Sequence, residues 1–253
     1  MKKVIVIGIG EIGKPLLELL SEKYSVEGVD ITPREIQEDV EVMHICYPYQ
    51  IEDFIGTTVE YIKKYNPELT IINSTVIPGT TRKIYERVKT PVVYSPVRGK
   101  HHRMKQDLLY YTKYIAGIKK EWCEMAAEHF AKTGIKTEVF SSPEALELAK
   151  LISTTYFGLL IAWAQEVERF CKKLGVDYEE VMGFTKEIPY FPPVIFVPGY
   201  IGGHCIIPNI YLLKEVKESP FLEVILKSNE KKKEELIKQG KSLDERVSPK
   251  KIK

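Results

Sequence analysis

The chain has 253 residues, 37 Lys and Arg against 35 Asp and Glu, and is 44% hydrophobic. That supplies a core for one large or two small domains and excludes a surface basic enough for wholesale nucleic-acid binding. No uninterrupted apolar run reaches the roughly 18–20 residues that span a bilayer. The run after Met1-Lys2-Lys3 is short and leads into glycines without a cleavage site. Cysteines 46, 123, 171 and 205 form neither close pairs nor a disulfide framework. The expectation is a reduced, cytoplasmic protein with no membrane and no nucleic-acid partner.

Val4–Ile7 is a continuous β-branched run, the pattern of a strand covered on both faces. Gly8-Ile9-Gly10-Glu11-Ile12-Gly13 follows, after which Ile12, Leu16, Leu17, Leu19 and Leu20 share one helical face with Pro15 in its first turn. A second strand is expected over Ser25–Asp30, at most a short helix over Pro33–Asp39, and a third strand over Glu41–Tyr47. Ile51, Phe54, Ile55, Val59, Ile62 and Tyr65 space as a helix. Strand Leu69–Asn73, helix Gly79–Val88 and strands Pro91–Ser95 and Lys113–Ile118 come next, then helix Lys119–Lys132 and strand Ile135–Phe140. This alternation predicts an α/β domain over 1–142, a parallel sheet with helices on both faces.

At Ser142-Pro143-Glu144 a helix opens, with Ser142 as N-cap and Pro143 in the first turn, and continues to Leu174 before Gly175. It is apolar over much of its circumference, more than one small domain covers, so a homodimer through the helix 144–174 is expected. Phe184–Pro208 reads as a loop region and Pro220–Ile237 as a last helix. The second domain is thus an all-helical segment over 143–237, and 238–253 is expected to be a disordered basic tail. Residues 227–253 carry ten basic and five acidic side chains, leaving the remainder slightly acidic.

Three motifs carry chemistry. The first is the Gly8–Gly13 turn in its strand–turn–helix context, with Asp30 closing the second strand. Its glycines permit a tight turn and close backbone approach to a pyrophosphate, and the helix N-terminus supplies free N–H groups. Asp30 favours the 2′-hydroxyl of NAD over a 2′-phosphate, a preference that Arg34 nearby weakens. The alternative is a turn that uses glycine for geometry alone. The second is Asn73-Ser74-Thr75-Val76-Ile77-Pro78-Gly79-Thr80, at a strand's carboxyl end, where ligands bind in open α/β sheets. Ser74 and Thr75 offer hydroxyls to a cofactor, and Thr80 or Thr81 is expected to cap the next helix. The third is Pro198-Gly-Tyr-Ile-Gly-Gly-His-Cys205. Gly202 and Gly203 form a frame that presents His204 and Cys205 side by side, and Cys205 is a candidate nucleophile. The alternative is an ordinary free cysteine. No second Cys/His pair sits at zinc spacing, so no metal is expected.

These motifs in this order, joined by Glu144-Ala-Leu-Glu-Leu-Ala-Lys150-Leu, Gln165-Glu166, Ser219-Pro220 and Asn229, resemble the UDP-glucose/GDP-mannose dehydrogenase family. The resemblance runs from Met1 to about Glu230. It implies a Rossmann-type doubly wound sheet followed by a helical segment with a long central helix. It also implies NAD-dependent oxidation of a sugar-nucleotide alcohol in two steps to a uronic acid, through a cysteine thiohemiacetal and thioester. By position Cys205 is the nucleophile, Lys150 polarises the reacting oxygen, and Thr75 helps hold water and cofactor. Gly8, Gly10, Glu11, Ile12, Gly13, Asp30, Tyr47, Pro48, Ser74 and Thr75 form the expected cofactor site.

Departures accompany the matches. The family's Pro-Glu pair is here Pro96-Val97, its Asn after the lysine is Thr154, and its Asp after the cysteine is Asn209. An amide is no general base. The domain that grips the nucleotide half of the substrate would begin where this chain ends. The expectation is a reduced relative, with Cys205, Lys150, Thr75, Asn209 and Thr154 as the catalytic set. Arg98, Lys100, His101, His102, Arg103 and Lys105 crowd the loop where the glutamate is missing. They read either as a solvated basic loop or as an anion site centred on Arg98, which with His101, Gly202, Gly203 and His204 would hold a small anionic substrate. Two alternatives stand beside an NAD-dependent alcohol or aldehyde oxidoreductase. One is an NAD-binding sensor without catalysis, the other a subunit whose nucleotide-sugar domain comes from a partner in trans.

Overall fold

The computed structural model describes residues 3–30, 35–185, 194–243 and 250–251, without the side chains of residues 101, 194–195 and 250–251. Pro33 and Arg34 lie outside the described residues, and the rest of the short helix expected there, 35–39, is irregular. The chain separates into two units, Met1–Lys150 and Leu151–Lys253, and the division falls within the long helix.

The first unit runs β1 (Lys3–Ile7), α1 (Gly13–Leu20), β2 (Val26–Val29), β3 (Val40–Ile45), α2 (Phe54–Tyr65), β4 (Leu69–Ile72), α3 (Thr80–Val88) and β5 (Val92–Tyr94). It continues with α4 (Met104–Tyr110), β6 (Lys113–Gly117), α5 (Lys120–Ala131), β7 (Thr137–Val139) and the start of α6 (Pro143–Leu174). The strands form a seven-stranded sheet in the order β2-β1-β3-β4-β5-β6-β7. Val4, Ile5 and Val6 are wholly buried, as the unbroken apolar run requires. Leu16, Leu20, Trp122, Ala126 and Phe130 cover one face. Phe54, Val59, Ile62 and Ile84 cover the other. Each of the Val, Leu, Ile and Phe side chains among them contributes about 1.5–3 kcal/mol.

The all-parallel expectation fails at one pair: β6 runs antiparallel to β5, with Val93 opposite Gly117 and Tyr94 opposite Ala116. An apolar run does not encode strand direction. Between these strands the chain makes a 3-10 turn at His101–Arg103 and then α4, which packs on α1. The basic stretch 98–105 is therefore partly helical.

The second unit holds the remainder of α6, then α7 (Tyr178–Gly183), β8 (Val194–Ile195), α8 (Ile206–Val216), α9 (Pro220–Lys238) and β9 (Lys250–Lys251). Helix α8 begins inside the segment read as loop. Within 238–253, Lys250–Lys251 pair antiparallel with Val194–Ile195. The core of this unit is Ile161, Ala162, Ala164, Phe196, Ile201, Ile210, Leu222 and Ile225. Gly158 lets α8 approach α6, since a Cβ there would lie 2.9 Å from Ile206 Cγ2.

The sequence reading of apolar stretches needs one correction. By length and composition alone α6 is apolar enough to cross a membrane, with an 18-residue stretch of mean hydropathy 1.4, 39% of it buried. Ser153, Thr154, Thr155 and Gly158 interrupt the apolar run, yet are too weakly polar to lower its mean far. A buried core helix passes the same test. On its exposed side α6 shows Ile152, Tyr156, Leu159, Trp163 and Phe170.

Candidate active site

Strand order places β1 between β2 and β3, so the chain leaves β1 in opposite directions across the sheet. Crevices at the carboxyl edge of such a reversal are where nucleotides bind. The Gly8–Gly13 turn lies there. Gly8 has φ +89, and a Cβ on it would sit 2.7 Å from Tyr47 N, at the end of β3. A Cβ on Gly13 would lie 1.8 Å from Gly8 O, so the third glycine is required for helix and turn to pack. A Cβ on Gly10 would meet nothing within 4 Å. The middle glycine therefore borders open space, a cradle whose local packing a side chain would not disturb but which it would fill. The N-cap of α1, Ile12, makes no side-chain cap, so the first N–H groups of the helix are not spent on one. Gly10, Glu11 and Asp30 are exposed and Ile12 is half-buried. This turn fits a dinucleotide pyrophosphate.

On the neighbouring strand end, Ser74 is buried and its hydroxyl donates to Tyr47 O at 2.6 Å. It thereby ties the β4 loop to the β3 loop. The Tyr47 hydroxyl pairs with Thr58 Oγ1 at 2.5 Å, and burial pushes its ionisation up. Thr75 is half-buried and Pro48 exposed. The expected Thr80 or Thr81 cap on α3 is not what forms. Gly79 takes the N-cap position with φ +94 and has no side chain to offer. The fully buried carboxylate of Glu147, from α6, accepts Gly79 N at 2.6 Å, Thr81 N at 2.9 Å and the Thr81 hydroxyl at 2.7 Å. Burial raises its pKa, against the lowering effect of these donors. Beside it, Arg82 holds Glu144 through two nitrogens at 2.6 and 3.3 Å.

Beyond β5, two lysines hold neighbouring backbone carbonyls. Lys113 Nζ donates to Ser95 O at 2.6 Å and Lys150 Nζ to Val97 O at 2.9 Å. Lys113 is buried, and desolvation pushes its ammonium down to about 7; Lys150 and Arg98 push the same way, while Cys46 opposes them. Arg98 is exposed, but its guanidinium already donates to Thr112 O at 2.5 Å and lies 4.6 Å from the centre of the Tyr114 ring. The side chain of His101 lies outside the described residues.

In the second unit Cys205 occupies the N-cap position of α8 and is exposed, whereas Cys46, Cys123 and Cys171 are buried. Gly202, Gly203 and His204 before it are exposed, and Gly203 has φ +79, which only glycine adopts freely. Four residues past the cysteine, Asn209 Nδ2 donates to Thr154 Oγ1 at 3.0 Å. Two of the three positions that depart from the family pattern are thus in direct contact, and the pair carries no ionisable proton.

Among the described residues no cluster of three or more His, Cys, Asp or Glu suits a metal. Sequence reading assigned no role to Lys113 or Glu147. A lysine opening a strand gives no sign of burial, and an acid within a helix gives no sign of the distant helix it caps.

Residues 144–231 match the family described as UDP-glucose/GDP-mannose dehydrogenase family, central domain. A UDP-N-acetyl-D-mannosamine dehydrogenase of Methanococcus vannielii is 25% identical over 284 aligned residues, covering 91% of this chain and 66% of that protein. The chain thus spans just under two thirds of that relative's length. The UDP-D-ManNAc dehydrogenase structure from Pyrococcus horikoshii superposes with a TM-score of 0.79 at 21% identity, covering 94% of this chain and 72% of the other. The 3-hydroxyisobutyrate dehydrogenase of Mycobacterium tuberculosis superposes at 0.69 with 15% identity, covering 94% of both chains. At these identities the two superpositions establish the fold, a Rossmann-type sheet followed by a long helix.

Proposed function

We propose that the chain is a member of the UDP-glucose/GDP-mannose dehydrogenase family, whose central domain matches residues 144–231, and that it is an NAD-dependent oxidoreductase. It acts on the alcohol or aldehyde carbon of a small anionic substrate, sugar- or hydroxyacid-like. The observation that carries this reading is the glycine turn at the sheet's switch point, where Gly10 borders open space while Gly8 and Gly13 are needed for packing. Asp30, exposed at the end of β2, selects a free ribose hydroxyl over a phosphate. Bound NAD supplies the hydride acceptor.

The protein's part is to bind, orient and stabilise charge. Lys150, ending the first unit, offers N–H donors to the reacting oxygen. Cys205 is the nucleophile: its thiolate adds to an aldehyde carbon and holds it as a thiohemiacetal. Thr75 and Ser74 position the cofactor, and Asn209 with Thr154 hydrogen-bonds to a water or product oxygen. Arg98 offers its guanidinium to the substrate anion. We further propose that two copies pair through the exposed stripe on α6.

The experiment titrates NADH into the wild type and Gly10→Ala, with thermal unfolding of both. A methyl at Gly10 meets no neighbour, so the variant unfolds like the wild type yet binds NADH at least about tenfold more weakly, a loss of roughly 1.4 kcal/mol. Equal affinity in the two proteins overturns the cofactor site. The neutral Thr154–Asn209 pair and Val97 in place of a glutamate favour a second reading, an NAD-binding protein without turnover. Cys205→Ala separates the two. An enzyme loses aldehyde oxidation while keeping NADH affinity, whereas a binder shows no oxidation in either form.

A further inference from the structure

The segment leading to Cys205 has no regular secondary structure over 196–203, yet its backbone is held at two points. Asn229 of α9 is buried; its Oδ1 accepts Ile201 N at 2.7 Å and its Nδ2 donates to Ile201 O at 3.1 Å. One side chain thus satisfies both peptide groups of one residue, as a neighbouring strand would. Gln165 of α6, fully buried, donates Nε2 to Gly199 O at 2.7 Å. Its Oε1 accepts the Ser228 hydroxyl at 2.8 Å, which fixes the amide's orientation. Ser228 is itself held by Arg169, which donates to its carbonyl at 3.1 Å and is anchored on Glu235 at 2.8 Å and Glu166 at 2.7 Å.

Two buried amides on two helices therefore converge on Gly199–Ile201. Buried amides are costly unless paired, and both of these are spent on an irregular loop. From Ile201 to the cysteine only Gly202, Gly203 and His204 remain. Downstream, Cys205 O accepts Asn209 N at 3.2 Å, and Asn209 is tied to Thr154. We infer that Gln165 and Asn229 are positioning residues for Cys205, holding its thiol at the N-terminus of α8. That inference rests on the reading of Cys205 as the nucleophile. The free N–H groups of a helix N-terminus favour a thiolate over a thiol, and a loop released from its anchors lets the sulfur leave them.

The test is the pH–rate profile of iodoacetamide alkylation, mapped to Cys205 in the full chain, for the wild type, Gln165→Leu, Asn229→Leu and Asn229→Asp. It needs no substrate. Cys205 is the exposed cysteine, so the reaction reports one site. In the wild type the midpoint lies below the ordinary thiol value of about 8.5. Asn229→Leu and Gln165→Leu raise it and slow alkylation at pH 7 about tenfold, the effect of one unit of thiol pKa. Asn229→Asp keeps the acceptor for Ile201 N–H and the side-chain volume. It shifts the midpoint part of the way and carries the test if Asn229→Leu does not fold. A folded variant with the wild-type profile overturns the positioning role. A wild type that titrates as an ordinary thiol overturns the nucleophile reading instead, and the two failures are distinct.

Discussion

Lys113 shows what a single buried charge does to stability. Its ammonium faces Ser95 O, Cys46, Lys150 and Arg98, and burial depresses it to about 7. In the unfolded chain a lysine titrates near 10.4. Between these values the unfolded state binds more protons, so this group makes stability rise with pH from about 7 to about 10 and places its full cost on the fold below pH 7. Urea unfolding of the wild type and Lys113→Met at pH 7 and 9 measures it. The wild type gains on the variant by on the order of 1–3 kcal/mol. A gap that does not change with pH assigns the lysine an unperturbed amine. Glu147 is a second buried charge with the opposite geometry, since three donors surround it. Glu147→Ala leaves them unpaired at the start of α3 and costs about 3 kcal/mol, while Glu147→Gln keeps one acceptor and costs about 2. Urea midpoints report both, and a loss under about 1 kcal/mol would mean that water satisfies the helix end as well. The exposed Arg82–Glu144 pair beside it contributes at most about 1 kcal/mol.

At the scale of elements, much was legible in the sequence because several central strands are buried on both faces and read as nearly unbroken apolar runs. Val4–Ile7 and Leu69–Ile72 are examples. Ser142 caps α6 as expected, accepting Ala145 N at 3.2 Å. The glycine turn was legible because its chemistry is local. Helix α8 was not, because its N-cap is a cysteine without a capping bond and Pro208 sits in its first turns. Nor was the reversal of β6, since direction depends on what the connection packs against. The glutamine and asparagine around the cysteine loop were visible as matching positions but not as partners, because each bonds backbone far along the chain. Gly158, where α6 meets α8, tests the packing. Alanine there crowds Ile206, but replacing a helical glycine returns about 1 kcal/mol, so Gly158→Ala is near neutral. Gly158→Leu has no such compensation and destabilises by about 1–3 kcal/mol. Thermal unfolding of both variants checks this, and equal effects refute the close approach.

At the scale of the molecule, Ile152, Tyr156, Leu159, Trp163 and Phe170 recur at helical spacing on the exposed side of α6. The proposed pairing of two copies rests on this stripe. The proposed pairing predicts that sedimentation of the wild type gives twice the 29.1 kDa chain mass and that Trp163→Asp returns it to one. A wild type at single mass removes self-pairing from the proposal. Charge distribution also looks different once folded. Lys232, counted in the basic stretch of the sequence, is buried against Glu168 at 2.5 Å and belongs to the helix packing.

The capping of α3 has a consequence in time. Its N-terminal amides wait for a carboxylate 68 positions further along the chain. Synthesis proceeds at about 5–20 residues per second, so this loop cannot take its final form until seconds after its own residues are made. In refolding, where the whole chain is present, the same long separation makes this a costly loop closure, so Glu147→Ala should speed unfolding while leaving the folding rate nearly unchanged, the signature of a contact formed after the transition state.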